Sequence, residues 1–249
     1  MTVKKRGNSR YFFFLLTSGI VLLVAFFGGR YLICTTDYFT IEKIEVVGND
    51  NLETDFLYNL VKDLLGRNLH LTKNAEIASR FENVVRVKDV SIARTLPGKL
   101  RITIKERVGR FFLRTTQGTV FTLDAEGMVL DNDNFYEGEN FPIITTTLQD
   151  DEVEVGAFLH DAIVDSVYSF CDAVLAVEPT FFNTISEIYR HDDDLYLVEM
   201  LTGYKIIFGD GDLERKIKQY RFLEQNAIFE KNRIVDLRFA DQLVIRPEE

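Results

Sequence analysis

The sequence predicts an α+β protein carried on a single transmembrane helix. Three observations lead there. Residues 11–29 form a charge-free apolar run, residues 39–107 alternate between strand and helix patterns in a β-α-α-β-β order, and residues 108–249 read as many short strands interrupted by two longer helices.

The apolar run YFFFLLTSGIVLLVAFFGG lies between Arg10 and Arg30. At about 1.5 Å per residue it makes about 28 Å of helix, close to the roughly 30 Å of a bilayer's hydrocarbon core. Lys4, Lys5, Arg6 and Arg10 crowd the N-terminal side, so a tail at 1–10 is expected in the cytoplasm and the rest of the chain outside it. A cleaved signal peptide fits less well, because its apolar stretch is shorter and ends at a small-x-small site, whereas Arg30, Tyr31 and Leu32 follow here. A membrane helix is therefore expected at 11–33.

The whole chain holds 29 basic and 39 acidic residues, a net charge of −10. All the acidic residues lie beyond Arg30, with 24 of the basic ones, so the exterior part carries −15. That balance argues against nucleic acid and against adhesion to anionic lipid, and for solubility. Two cysteines, Cys34 and Cys171, make no disulfide framework.

Along the exterior chain, 39–49 alternates through Ile44 and Val46 and ends at Gly48-Asn49, a strand followed by a turn. Residues 54–65 place Phe56, Leu57, Leu60, Val61, Leu64 and Leu65 at helical spacing. Thr72 is a candidate N-cap for a shorter helix through Ile77 and Phe81. Residues 84–95 and 100–108 are strands around a turn at 96–99, expected as type I or II. Short strands follow at 109–130 and 141–144. A helix is expected at 161–177, with Ile163, Val167, Phe170, Val174 and Val177 as its apolar stripe. Strands at 185–190, 195–201 and 204–209 precede a second helix, capped by Asp210 or Asp212 and running through Ile217, Tyr220, Leu223 and Ile228. Residues 234–247 close the chain.

Catalytic chemistry finds little footing. His70, His160 and His191 are far apart in the chain, and no G-x-S-x-G, Walker A or G-x-G-x-x-G motif occurs. His191-Asp192-Asp193-Asp194 reads as a solvated hairpin turn rather than a cation site. Asp210-Gly211-Asp212 reads as a helix cap, since an EF-hand starting there would need Gly and Glu where Arg215 and Arg221 stand. The basic residues Arg215, Lys216, Lys218 and Arg221 make either a solvated helix face or a dock for an acidic partner helix. No cofactor, metal or small-molecule substrate is expected.

The order β-α-α-β-β, with I-x-x-I-x-V-x-G-N at 41–49 and V-x-x-x-x-I-A-R-x-L-P-G-x-L-x-I-x-I-x-E-R at 87–107, resembles a POTRA domain. One such unit directly after a single anchor, followed by I-S-E-I, L-x-L, G-x-K-I-x-F-G, a capped basic helix and V-D-L-R-F, resembles the FtsQ/DivIB cell-division family. The resemblance covers roughly 38–246. It implies a POTRA domain at 38–107, an FtsQ-type β domain at 108–249, and a non-enzymatic, single-pass scaffold of the inner membrane at the division septum. FtsB-like and FtsL-like division proteins are its implied partners. The alternative is a POTRA chaperone-like module for secretion or outer-membrane insertion. The resemblance also implies a partner site around the terminal stretch, at Phe239, Asp241 and Gln242. By its own pattern Leu243-Val244-Ile245 reads either as a chain-terminal edge strand open to an added partner strand, or as completing the core with Pro247-Glu248-Glu249 blunting the edge.

Overall fold

A computed structural model describes residues 9–132, 140–226, 233–239 and 242–247. Helix α1, Ser9–Thr35, contains a 20-residue stretch, Phe13–Leu32, long and apolar enough to cross a membrane. Thr17 and Ser18, within that stretch, fit an apolar helix because they bond backward. Thr17 donates to Phe13 O at 2.9 Å and Ser18 to Leu15 O at 3.0 Å, which leaves neither hydroxyl unsatisfied.

Beyond α1 the chain divides into two compact units, at Glu106 and Arg107. The first holds β1 (Lys43–Val47), α2 (Thr54–Asn59), α3 (Asn74–Ser79), β2 (Val87–Thr95) and β3 (Lys99–Glu106), with its sheet in the order β1-β3-β2. Strands β1 and β3 run parallel, Lys43 opposite Lys99, and β2 pairs β3 antiparallel. Strand alternation sorts β3 cleanly: Leu100, Ile102 and Ile104 are buried with Leu57, Val61, Leu64, Ile77 and Phe81, while Arg101, Thr103 and Lys105 face solvent. On the solvent face, Lys99 and Arg101 both bond Glu45, and these hydrogen bonds hold its carboxyl down at about 2.

Three local expectations are corrected here. The helix at 54–65 is broken: after Asn59 the chain tightens through Leu60 N to Leu57 O and Val61 N to Tyr58 O into a 3-10 turn at Lys62–Leu64. Thr72 is not the cap of α3. Its hydroxyl bonds back to Asn68 O at 2.9 Å, and Lys73 takes the N-cap position without a side-chain bond. The turn at 96–99 contains a cis Leu96–Pro97 peptide, so it is neither type I nor type II.

The second unit holds β4 (Gly109–Arg114), β5 (Val120–Asp124), β6 (Val129–Asn132), β7 (Ile143–Thr145), α4 (Ala162–Val177), α5 (Pro179–Phe182), β8 (Ile185–His191), β9 (Asp194–Glu199), β10 (Lys205–Ile207), α6 (Leu213–Asn226), β11 (Arg233–Asp236) and β12 (Val244–Pro247). Among the described residues the strands form one sheet in the order β12-β11-β10-β9-β8-β7-β4-β5-β6. A single row of cross-strand partners traverses it: Phe121, Leu113, Ile144, Ile188, Leu197, Ile206, Val235 and Ile245. All but Ile245 belong to the core, together with Val164, Val167, Cys171 and Val174 of α4, Phe181 of α5, and Ile217 and Tyr220 of α6.

The stripe of α4 is centred slightly off the expected one: Ile163 and Phe170 pack half-buried against the core, and Val164 and Cys171 join Val167 and Val174 in the fully buried positions. Val177 is 40% exposed. Cys171 acts as a small hydrophobe, and burial pushes its thiol up to about 12. Asp161 caps α4 by accepting from Ile163 N at 2.8 Å. Short α5, which begins at Pro179, was not expected.

Candidate partner-binding site

The residues that read as a partner site lie at and beside β12. Strand β11 enters with Val235 and Leu237 fully buried, and Phe239 follows in a bend, 43% exposed. Val235, Asp236 and Leu237 are buried in succession, and Phe239 is not, because the chain leaves the sheet there. Strand β12 returns antiparallel, with Asp236 opposite Val244, Val235 opposite Ile245 and Ile234 opposite Arg246. Leu243 packs against the core from the helix side, Val244 and Ile245 are half-buried, and Gln242 is exposed. Asp241 lies outside the described residues.

The direction of each backbone group follows from one bond. Leu237 N–H donates to Ile207 O at 2.8 Å, so Leu237 and, by alternation, Val235 face β10. Ile234 and Asp236 then face β12, and their partners Arg246 and Val244 turn their N–H and C=O inward. Leu243 and Ile245 turn theirs outward, to the side of β12 where no strand pairs among the described residues. Pro247, the next outward position, has no N–H to offer.

The turn between β11 and β12 is tied by charge. Burial pushes the Asp236 carboxyl up, but hydrogen bonds from Arg238 outweigh it and hold the group below the ordinary aspartate value. Arg238 also reaches Asp194 at 2.7 Å, on the β8–β9 hairpin. The His191–Asp194 segment is that hairpin's turn, with Asp192 at φ 52°.

On the helix side of β12 lies a groove of about 700 Å³ lined by Leu243 and by Arg215, Lys218, Phe222 and Leu223 of α6. Phe222 is 69% exposed on an otherwise polar helix face. The basic set of α6 does not share one solvated face. Lys216 is fully buried, and its ammonium donates to Phe208 O at 2.5 Å and to Asp210 O. Arg221 lies over the Phe181 ring and pairs with Glu224 at 2.8 Å. Lys218 pairs with Glu214 one turn back. Asp212, not Asp210, caps α6, accepting from Arg215 N at 3.0 Å. Ile228, expected on the apolar stripe of this helix, lies outside the described residues.

Pattern reading missed the groove and the Asp236–Arg238–Asp194 tie. Phe222 was a visible signal for the first, being apolar among Lys218, Arg221 and Gln225. The D-x-R spacing was the signal for the second.

Two family models match the chain. One, described as a POTRA domain of FtsQ type, matches residues 39–107. The other, described as the C-terminal part of cell division protein FtsQ/DivIB, matches residues 112–238, just over half of the chain, and ends one residue before Phe239. Two curated relatives, each described as cell division protein DivIB, come from Clostridium botulinum strains Hall and Loch Maree. They are 29% and 28% identical over 94 residues. That stretch is 38% of this chain, and the chain spans 36% of the length of each relative.

Proposed function

Because this chain belongs to the FtsQ/DivIB cell-division family, we propose that it is a non-enzymatic, single-pass scaffold of the bacterial division apparatus that receives a partner strand along the outer edge of β12. Within this reading, the basic tail is 1–10, the anchor 11–33, the POTRA domain 38–107 and the β domain 108–249. The anchor holds the protein in the inner membrane at the septum, with both domains on the far side from the cytoplasm. The partners are FtsB-like and FtsL-like single-pass division proteins. Confinement of all of them to one membrane plane multiplies individually weak contacts.

The observation that carries the reading is the outward backbone of Leu243 and Ile245, set on an edge strand whose inner side is fully paired. An added strand finds main-chain partners there, and its side chains on the helix side fall beside Leu243 and the α6 groove. The alternative of a chaperone-like module for secretion has no comparable support, because the family match extends into the β domain as far as residue 238.

The test uses the full chain in detergent or nanodiscs and the exterior segment of an FtsB-like protein. Val244 faces β11, so proline there would break the inner ladder; Ile245→Pro removes the outward N–H instead. Ile245→Ala shortens the same side chain and keeps that N–H. Ile245→Pro is expected to bind at least about tenfold more weakly than Ile245→Ala, about 1.4 kcal/mol. Equal binding by the two variants would remove the β12 edge from the partner site.

A further inference from the structure

Three exposed apolar side chains, distant in sequence, meet at the end of the POTRA unit where the chain leaves α1. Tyr38 is 53% exposed, Leu71 52% and Leu96 47%. Tyr38 lies three residues beyond Thr35, the last residue of α1, which limits it to about 10 Å from the helix end at about 3.5 Å per residue. Leu71 is brought there by Leu69 N–H, which donates to Phe39 O at 2.7 Å, and by the His70 ring, 5.1 Å from that of Phe39. Leu96 is brought there by the parallel pairing of Lys43 with Lys99, which sets the β2–β3 turn beside the start of β1. Glu42 N–H then donates to Gly98 O at 2.8 Å. The turn and the 69–72 loop are themselves clasped: Arg94 donates to Leu69 O at 2.7 Å and to Thr72 O at 2.6 Å.

We propose that this end of the POTRA unit rests in the interfacial layer of the bilayer, with Tyr38, Leu71 and Leu96 as its lipid contacts. The inference rests on α1 spanning the membrane. Given that, the short link from Thr35 leaves these side chains at headgroup level. An amphipathic tyrosine ring and two leucines lose less there than in water. The contact is apolar, so it needs no anionic lipid and does not conflict with the acidic exterior. It gives the domain a second hold on the membrane besides α1 and restricts the tilt that a three-residue link would otherwise permit.

The chain contains no tryptophan, so one introduced indole reports on one site. Leu71→Trp, Leu96→Trp, Phe56→Trp and Leu22→Trp are each placed in the full chain and reconstituted in phosphatidylcholine vesicles, with and without brominated acyl chains. Phe56 is the aqueous reference. It is 46% exposed in α2, just after the Asp50–Leu52 segment bound to Glu106 at the opposite end of β3. Leu22, within α1, reports the anchor itself. Expected are quenching of Leu71→Trp and Leu96→Trp by brominated lipid and acrylamide quenching roughly threefold weaker than at Phe56→Trp, as for an indole at the interface. If Leu22→Trp is quenched by brominated lipid while residues 71 and 96 behave like residue 56, the contact is overturned and the anchor stands. If Leu22→Trp is not quenched, the anchor is overturned and the contact with it.

Discussion

Arg238 folds back onto Asp236, two residues earlier: its Nε donates to Oδ1 at 2.9 Å and its Nη2 to Oδ2 at 2.5 Å, while the Asp236 carboxylate is nearly fully buried. The fork-to-fork pair joins the last residue of β11 to the segment where the chain leaves the sheet. Because the Asp236 group is held below its ordinary value, its contribution to stability is complete above the ordinary aspartate range. That contribution is lost as pH falls through the lowered value.

The first prediction follows from that sign. In the segment after α1, Asp236→Asn is expected to cost about 1–3 kcal/mol near neutral pH, the range for breaking a hydrogen bond to a buried charged group. The difference from the unaltered protein should shrink as pH falls below the ordinary aspartate value, where the native carboxyl itself begins to take up a proton. Urea unfolding midpoints at neutral and acid pH measure both. An undiminished difference at acid pH would show that Asp236 is not held low.

A second prediction concerns Glu106, at the end of β3. Its buried carboxylate accepts from the backbone N–H groups of Asp50 at 3.0 Å, Asn51 at 3.0 Å and Leu52 at 2.9 Å, and so pins the turn that leads into α2. Glu106→Gln keeps the shape but presents an amide nitrogen to donors, and is expected to destabilise the POTRA unit by about 2–3 kcal/mol. Hydrogen exchange at Asp50, Asn51 and Leu52 should rise together in that variant. Protection unchanged at all three would mean the loop holds itself.

Lys216 supplies a third. Its buried ammonium bonds two carbonyls of the 208–210 segment, which runs through Gly209 at φ 59°. Lys216→Met fills the same channel but leaves Phe208 O and Asp210 O without their donor, at an expected cost of about 1–3 kcal/mol. Loss of order should be confined to the start of α6, where Asp212 caps it. Thermal unfolding with amide-resolved exchange separates this from a global effect. A variant as stable as the parent would make Lys216 a packing residue only.

Most of the fold was legible because burial follows period. The alternation in β3, the charge-free run in α1 and the three-residue spacing of Ile217, Tyr220 and Leu223 each declare an element without help from the rest of the chain. What was not legible depends on which groups the folded backbone brings within reach of each side chain. Lys216 looked solvated because nothing nearby in the chain announces Phe208 O as its acceptor. The expected stripe of α4 holds at Val167 and Val174, but Cys171 was left out of it, although the core takes it as a small hydrophobic filler. Thr72 looked like a cap because the sequence does not show that Asn68 O lies within reach of its hydroxyl. At the candidate site, the strand itself was readable from Leu243-Val244-Ile245. Which of those residues turns its backbone outward was not, since that parity comes from β10 through the bond between Leu237 and Ile207.

The order of the nine strands also defines a load path. The chain enters the second unit at β4, whereas the proposed docking edge is β12, six strand boundaries away. Tension between a membrane-held end and a partner held at that edge must cross β7, a strand of three residues that runs parallel to both neighbours and is joined to each by three residue pairs. That strand is one of two narrow places in the sheet, the other being β10, also of three residues. The ladder at β7 is short and of the weaker parallel kind, and Ile144 is its contribution to the core row beneath α4. The seam between β10 and β11 is of the same length and kind, so load crossing the sheet meets three short parallel ladders in series, one on each side of β7 and one next to the docking edge.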